Sequence, residues 1–267
     1  MTVCVIGAGL FGATIARKLA ADGHDVTVVD DLRPNSGSAP SGCLMKPSWF
    51  KSLRPGVEKR ALETLDTTYG VRSSRFVVWP TKLSAEVLWV PRKQILDRSD
   101  LPLLVDRVHE LRGTELRLRD AGWRAFSKVI VAAGYWSRLL VPLTIQGKWG
   151  CSFEWQGSLL SESSIRPWAP YKQVVTHCDA GNVWSGDGSA LLSWSADAQS
   201  KSVLRVESAT GLTCAKATVA VGVRPYCGEK PCILLEHSPG VWVATGGAKT
   251  GLLAAGWAAS RLSEALA

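Results

Sequence analysis

The sequence predicts an α/β protein in which a parallel sheet with covering helices is interleaved with a smaller β-rich domain. At the start, a strand over residues 2–6 leads through a glycine-rich turn into a helix over about 10–21 and a second strand over 25–30. This βαβ order implies parallel strands joined by a right-handed crossover. The same alternation returns at the end, where a strand over 241–245 precedes a helix over about 249–265.

The middle of the chain is typical of a β-rich region. Turn signals such as Gly186-Asp187-Gly188 punctuate residues 145–223, which predicts mostly strands there. The other predicted elements are strands over 75–79, 86–90, 114–119, 122–126 and 128–132, a helix over 57–68 and a long loop over 32–55. Because α/β pieces at both ends enclose this region, we expect two intertwined domains.

Composition excludes several classes of protein. Apolar residues make up 46% and charged residues 20% of the chain, which is typical of a globular protein and excludes disordered and fibrous ones. No uninterrupted apolar run reaches the roughly 18 residues of a membrane-spanning helix. A strand begins directly after Met1-Thr2, so we expect no signal peptide and a cytoplasmic location. The cysteines and histidines show no metal-ligand spacing, so no metal site is expected.

Positive charge is concentrated in residues 33–93. This segment holds eleven Lys and Arg residues against four Asp and Glu, a net charge of +7, while the whole chain has +8. It also contains six aromatic residues, among them Trp49 and Trp79. Cations interleaved with aromatic rings are typical of surfaces that bind a polyanion whose bases stack. An ordinary solvated face has the same composition, and both interpretations stay open.

The turn between the first strand and the first helix reads Gly7-Ala8-Gly9-Leu10-Phe11-Gly12. In a G-x-G-x-x-G turn, the first glycine permits the turn, the second lets a pyrophosphate approach the backbone, and the third lets the helix pack closely. The helix N-terminus adds amide donors and a partial positive charge. Asp30 ends the second strand, and its spacing along the sequence from Gly7 is typical of the acidic residue that binds ribose hydroxyls in such sites. The pattern predicts a dinucleotide site.

Four further segments resemble, in this order, parts of FAD-dependent oxidoreductases of the D-amino-acid oxidase/glycine oxidase family. The segments are Ser41-Gly42-Cys43-Leu44-Met45, Val129-Ile130-Val131-Ala132-Ala133-Gly134-Tyr135-Trp136-Ser137, Gly222-Val223-Arg224-Pro225 and Thr245-Gly246-Gly247-Ala248-Lys249-Thr250-Gly251. They resemble the loop along the cofactor, the strand and turn beneath the flavin, the Gly-x-Arg-Pro motif and the loop that opens the last helix. The chain is identified as a short variant of this family.

The resemblance implies a Rossmann-like FAD-binding domain of the glutathione-reductase type, interleaved with a β-rich substrate domain. The FAD-binding domain is expected to comprise residues 1–50, 95–145 and 222–267, and the substrate domain 51–94 and 146–221. The cofactor-binding residues that it implies are Gly7, Ala8, Gly9, Leu10, Phe11, Gly12, Asp30, Asp31, Cys43, Leu44, Met45, Val108, Ala133, Gly134, Trp136, Gly247, Lys249, Thr250, Gly251 and Leu252.

The resemblance also implies three catalytic residues. Arg224 matches the arginine that pairs with the substrate carboxylate, a task that suits a planar bidentate fork. Lys249 belongs to the loop near the flavin ring, and Tyr171 resembles a residue of a strand beside the pocket. Lys172 follows Tyr171 where the family more often has a Pro-Arg pair, which puts the shape of the substrate pocket in question.

The implied function is oxidation of the C–N bond of a glycine-like amino-acid group by hydride transfer to FAD. The +7 segment favours a group attached to a nucleic-acid base, which Trp49 or Trp79 would stack on. A free small amino acid such as glycine, sarcosine or a D-amino acid is the alternative substrate. An NAD-dependent dehydrogenase is a further alternative, but it leaves the Gly-x-Arg-Pro motif and the last glycine loop unexplained. A non-catalytic nucleic-acid-binding module is another, and it predicts binding that survives Arg224→Ala.

Overall fold

A computed structural model of the chain describes residues 1–34, 36–45, 55–157, 160–169, 172–228, 230, 232–247 and 250–267. The strands are β1 (Thr2–Ile6), β2 (Asp25–Asp30), β3 (Leu44–Met45), β4 (Arg72–Val78), β5 (Leu83–Trp89), β6 (Leu103–Val105), β7 (Val108–Arg112), β8 (Glu115–Leu118), β9 (Gly122–Ala125), β10 (Lys128–Val131), β11 (Gln146–Gln156), β12 (Ser164–Ala169), β13 (Lys172–Asp179), β14 (Asn182–Gly186), β15 (Thr218–Tyr226), β16 (Cys232–Ser238) and β17 (Val241–Gly246). The helices are α1 (Leu10–Ala21), α2 (Pro55–Tyr69), α3 (Arg92–Leu96), α4 (Ala196–Thr210) and α5 (Gly251–Leu266). Among these residues, no helix combines the length and apolar character needed to cross a membrane.

A six-stranded sheet forms the first layer, with the strand order β16-β17-β10-β1-β2-β6. All its pairs are parallel except the hairpin β16–β17. Val3 and Val5 of β1 pack against α1 and α5, whereas Cys4 and Ile6 pack with Leu116 of the three-stranded sheet β7-β8-β9. Successive residues of a strand point to opposite faces, so a sheet covered on both sides has buried strands throughout. The predicted α/β class with a Rossmann-like sheet is confirmed.

The predicted helices at the ends of the chain are present, but two helices, α3 and α4, were not predicted. α4 lies within the region that was expected to be mostly β. Ser195 caps it, because its side chain accepts a hydrogen bond from the N–H of Ala198, and Gly211 ends it at φ +73°. Only Ser202 and Val206 of this helix are buried, so its apolar stripe is too narrow to give a helical pattern in the sequence.

An eight-stranded sheet forms the second layer, with the order β15-β11-β14-β13-β12-β4-β5-β3. On one face, α4 covers an apolar cluster that includes Phe153, Val183 and Val206. The predicted domain boundaries stay a prediction, and two elements lie across them. β3 pairs with β5 of the second sheet, and α2 packs against α5 of the first layer, where a Cβ on Gly256 would lie 2.5 Å from the carbonyl oxygen of Ala61.

Candidate active site

The glycine-rich turn between β1 and α1 leaves no space for side chains at two positions. Gly7 has φ +104°, and a Cβ there would lie 2.7 Å from the carbonyl oxygen of Ala132. A Cβ on Gly12 would lie 1.7 Å from the carbonyl oxygen of Gly7. The backbone of α1 therefore packs directly on the turn, as the third glycine of the motif requires.

Two adjacent carboxylates lie at the end of β2. Asp30 accepts hydrogen bonds from the backbone N–H groups of Ala8 (2.5 Å) and Leu32 (2.6 Å), so it ties the end of β2 to the glycine-rich turn. Asp31 forms ion pairs with Arg33 (2.7 Å) and Arg107 (2.9 Å). Burial raises the pKa of Asp31, but the two guanidinium groups outweigh it and hold that pKa below its ordinary value.

A cleft of about 590 Å³ lies between the two large sheets. The predicted cofactor-binding residues that line it are Gly7, Gly9, Leu10, Phe11, Asp30, Asp31, Cys43, Leu44, Val108, Ala133, Gly134, Trp136, Thr250, Gly251 and Leu252. Ala8, Gly12, Met45 and Gly247 are buried behind the lining residues. The predicted catalytic residues Tyr171 and Lys249, and Trp49, lie outside the described residues. Arg224 lines the cleft.

The cleft fits a dinucleotide cofactor. Its volume lies within the roughly 300–1,000 Å³ of ligand and cofactor sites. Two glycines on the dinucleotide wall have close neighbours: a Cβ on Gly247 would lie 2.6 Å from the backbone Cα of Gly251, and one on Gly9 would lie 3.0 Å from the side-chain oxygen Oγ of Ser38. These glycine cradles, together with the start of two helices, provide the amide-lined, side-chain-free surface that phosphate and ring systems need.

Arg92 clamps the loop that lines the cleft, and the sequence did not indicate this. Its guanidinium donates to the carbonyl oxygens of Ser41 (3.0 Å) and Ala39 (2.5 Å) and pairs with the carboxylate of Glu154 on β11. Ser38, in the same loop, accepts a hydrogen bond at 2.7 Å from the N–H of Leu10, the first residue of α1. The loop is thus fixed to α1 on one side and, through Arg92, to β11 of the eight-stranded sheet on the other.

The cleft wall on the eight-stranded sheet includes several glycines, Arg224 and Trp184. Arg224 donates from Nη2 to the carbonyl oxygen of Ser189. A Cβ on Gly150 would lie 2.7 Å from that nitrogen, so the glycine leaves room for the guanidinium. Burial lowers the pKa of Arg224, and the nearby Asp187 opposes this. Since arginine remains charged at neutral pH in proteins, the wall presents a cation to the cleft.

The indole of Trp184 fills space left by two glycines, Gly42 and Gly186. A Cβ on Gly42 would come within 2.6 Å of the ring, and one on Gly186 within 2.8 Å. Trp184 pairs across the ladder with His177 of β13, whose ring lies 5.6 Å from that of Phe76 and 4.6 Å from that of Trp89. His177 is therefore enclosed by aromatic rings, on the same face of the sheet as Trp184.

We expect His177 to make stability pH-dependent. Burial lowers its pKa below 6.5, an effect that Asp179 only partly opposes. The unfolded chain then binds more protons than the folded one once the pH falls below 6.5, so the free energy of unfolding should decrease from there towards the lowered pKa. In His177→Phe, which retains a ring, denaturant titrations should show less of this decrease. The exposed His109→Gln variant should retain it, and equal slopes in all three proteins would contradict the expectation.

Comparisons with known proteins found similarity at two levels: a family model matches one segment of the sequence, and solved structures match the fold. A family model described as FAD dependent oxidoreductase matches residues 2–82. The fold is similar to that of iminodiacetate oxidase from Chelativorans sp. BNC1 (18% identity, TM-score 0.72, covering 99% of this chain and 95% of that chain). It is similar to glycine oxidase from Bacillus cereus ATCC 14579 (15%, 0.70, 99% and 94%) and to glycerol-3-phosphate dehydrogenase from Bacillus halodurans complexed with FAD (14%, 0.67, 100% and 64%). A search of curated protein sequences found no match.

The structural similarities show the fold. The family model shows, in addition, that the sequence of the segment predicted to bind the cofactor matches FAD-dependent oxidoreductases. The matched residues 2–82 include the glycine-rich turn, Asp30 and the loop at Cys43, all on the cleft. The family model accordingly indicates FAD as the cofactor, as expected from the sequence. Residues 2–82 thus have the sequence pattern of an FAD-dependent oxidoreductase, and the chain as a whole has the fold of such enzymes, which confirms the resemblance to the D-amino-acid oxidase/glycine oxidase family.

Proposed function

We propose that the chain oxidises the C–N bond of a glycine-like amino-acid group with FAD as the oxidant. The supporting observation is the position of Arg224 on the cleft wall that faces the glycine-rich turn. Among the described residues, no carboxylate forms an ion pair with it, so its charge is available to an anionic ligand in the cleft. A guanidinium fork matches a carboxylate in shape and charge, which favours an amino-acid substrate.

The chain's own residues would act mainly by positioning. Residues of the glycine-rich turn and of Thr250–Leu252 would hold the cofactor, and Arg224 would hold the substrate carboxylate on the opposite wall. Bound FAD supplies the capacity to accept two electrons and a hydrogen as a hydride equivalent. The substrate gives up this hydride from its α-carbon and a proton from its nitrogen to solvent. Water then hydrolyses the resulting imine to a carbonyl compound and an amine, and an external electron acceptor completes the cycle.

For the carrier of this group we propose a nucleic acid, with a free small amino acid as the alternative. The support is electrostatic: five cations on or beside the β4–β5 and β12–β13 strands form no ion pair with an acid among the described residues. They are Arg72, Arg75, Lys82, Arg166 and Lys172. Cations that no ion pair neutralises add to the potential that attracts a polyanion. The cytoplasmic location expected from the sequence stays a prediction.

Trp79 is not the stacking platform that the sequence suggested. It does not line the cleft, and its ring lies 4.6 Å from the guanidinium of Arg166 and 5.3 Å from the ammonium of Lys82. Arg166 pairs with Val174, whose neighbour Val175 lines the cleft. Because adjacent strand residues point to opposite faces, Arg166 and the ring that it contacts lie on the far side of the sheet. A base in the cleft would need another partner.

Anaerobic titration of the FAD-loaded protein tests the reaction. We expect a glycine-like amine to bleach the oxidised-flavin absorption: an oligonucleotide carrying a glycine-modified base for the nucleic-acid carrier, or free glycine, sarcosine or iminodiacetate for the alternative. Glycolate, which has a C–O bond in place of the C–N bond, should not bleach it. Bleaching by glycolate alone, or by no substrate of either kind, would contradict amine oxidation.

Salt dependence separates the two carriers. Turnover of a polyanion should fall steeply between low and moderate salt, because binding releases condensed counterions. Oxidation of a free amino acid should change little, since only one charge pair inside the cleft is involved. Efficient, salt-insensitive turnover of a free amino acid would therefore contradict the nucleic-acid carrier while supporting the reaction.

A further inference from the structure

The guanidinium of Arg224 takes its position from a loop and not from an acid. Arg224 donates to the carbonyl oxygen of Ser189, in the loop that follows β14. Gly150 of β11 lies beside this contact: a Cβ there would be 3.0 Å from the same carbonyl oxygen. The direction in which the fork points thus depends on how residue 189 is held.

Asp187, which is completely buried, holds residue 189. One carboxylate oxygen, Oδ1, accepts hydrogen bonds from both the backbone N–H (3.0 Å) and the hydroxyl (2.5 Å) of Ser189. Gly188 between them has φ +64°, a conformation that favours glycine. Further along the loop, Leu191 exchanges two backbone hydrogen bonds with Trp149 of β11, at 2.7 and 2.9 Å. The loop is therefore fixed at both ends of the contact with Arg224.

The other carboxylate oxygen ties this loop to α4. Oδ2 of Asp187 accepts from the hydroxyl of Ser202 (2.7 Å) and from Nε (3.0 Å) and Nη2 (2.6 Å) of Arg205. The indole N–H of Trp168 donates to the backbone oxygen of Asp187 at 2.8 Å, and the guanidinium of Arg205 lies 4.3 Å from the same ring. A buried carboxylate with this many charged and neutral donors is held in one orientation.

Charge distribution separates the roles of the two arginines. The charge of Arg205 is neutralised by direct contact with Asp187 at 2.6 Å. Arg224 contacts only the carbonyl oxygen of the loop that Asp187 anchors, so its charge has no such partner among the described residues. Hydrogen bonds that restrict a side chain without neutralising it leave the side chain oriented and still able to bind an anion.

We propose that Asp187 is a positioning residue, which orients Arg224 through Ser189 for binding of the substrate carboxylate. Asp187 itself touches neither cleft nor substrate. This inference rests on the proposed function, because it assumes that Arg224 binds a carboxylate. It goes beyond the proposed function because it attributes the orientation of the Arg224 guanidinium to a buried carboxylate on the α4 side of the sheet.

The test compares acetate and acetamide as ligands of the FAD-loaded protein, followed by changes in the visible flavin spectrum. In Asp187→Asn, the affinity for acetate should fall by at least about tenfold, since a misplaced fork loses one charge-assisted hydrogen bond. The affinity for neutral acetamide should change much less. The matched control is Asp197→Asn, which removes a carboxylate from the exposed pair with Lys201 on α4 and should leave both affinities unchanged.

Epistasis with Arg224 makes the test specific. In an Arg224→Gln background, Asp187→Asn should have no further effect on acetate affinity, because the group that it positions is absent. Equal acetate affinity in the single variant and the unchanged protein would overturn the inference, as would equal losses for acetate and acetamide. If Asp187→Asn does not fold, Ser189→Ala decides: it removes only the hydroxyl bond to Asp187 and should weaken acetate selectively. Failure of the unchanged protein to bind any carboxylate would instead refute the proposed function.

Discussion

Gly12→Ala is expected to abolish FAD binding, with the dissociation constant rising by roughly a hundredfold or more. The new Cβ would lie 1.7 Å from the carbonyl oxygen of Gly7 and 3.3 Å from a methyl group of Val5. The clash can be relieved only if α1 moves away from the glycine-rich turn or the turn itself is displaced. Displacement of α1 by even one ångström removes its N-terminal amides from the pyrophosphate. Fluorescence titration with FAD measures the effect.

Gly56→Ala is the matched control for this prediction. Gly56 is exposed in α2, and a Cβ there would meet nothing within 4 Å. The Gly56→Ala variant gains the same methyl group as Gly12→Ala and should retain FAD affinity, with at most a slight gain in the stability of α2. If Gly12→Ala bound FAD as tightly as the control does, the close contact between α1 and the glycine-rich turn would not be the basis of the cofactor site.

Arg224→Gln should produce the largest loss in turnover. Removing one partner of a buried, hydrogen-bonded charge pair costs about 2–5 kcal/mol, which corresponds to a fall in kcat/KM of roughly 30-fold to several thousandfold. The loss should appear for amino-acid substrates, while FAD affinity should be unchanged, because Arg224 is on the wall opposite the glycine-rich turn. Steady-state kinetics with the amine that bleaches the flavin provides the measurement.

Two further variants define what the arginine contributes. Arg224→Lys retains the charge but not the planar fork, so it should recover only part of the loss. Arg124→Gln removes an exposed arginine on β9 and should behave like the unchanged protein. Full activity in Arg224→Gln would show that the substrate carboxylate is bound elsewhere in the cleft, or that the substrate has no carboxylate.

The parts of the site that the sequence predicted are those built from contiguous residues. The strand, turn and helix around Gly7 and Gly12 are local, and each glycine has a steric reason that any such turn imposes. Arg224 could be singled out because it lies within a short motif, Gly-x-Arg-Pro, which is part of β15, and its role in substrate binding stays a prediction. The role of such segments can be predicted from sequence alone, without knowledge of the tertiary fold.

The parts that the sequence could not predict depend on partners far along the chain. Arg92 clamps carbonyl groups more than 50 residues before it and a glutamate 62 residues after it. Asp187 was interpreted only as part of a turn, because its partners on α4 belong to a helix that was not predicted. A buried polar network has no periodicity of its own, so only the packed structure brings its members together.

The visible absorption spectrum of the purified protein, after incubation with FAD and removal of the excess, tests the central claim most directly. We expect the two bands of an oxidised flavin, retained on gel filtration and lost in the Gly12→Ala variant. These bands should then bleach when an amine substrate is added without oxygen. A colourless protein that takes up no FAD would contradict the account, and the glycine-rich turn would then need another ligand or a purely structural explanation.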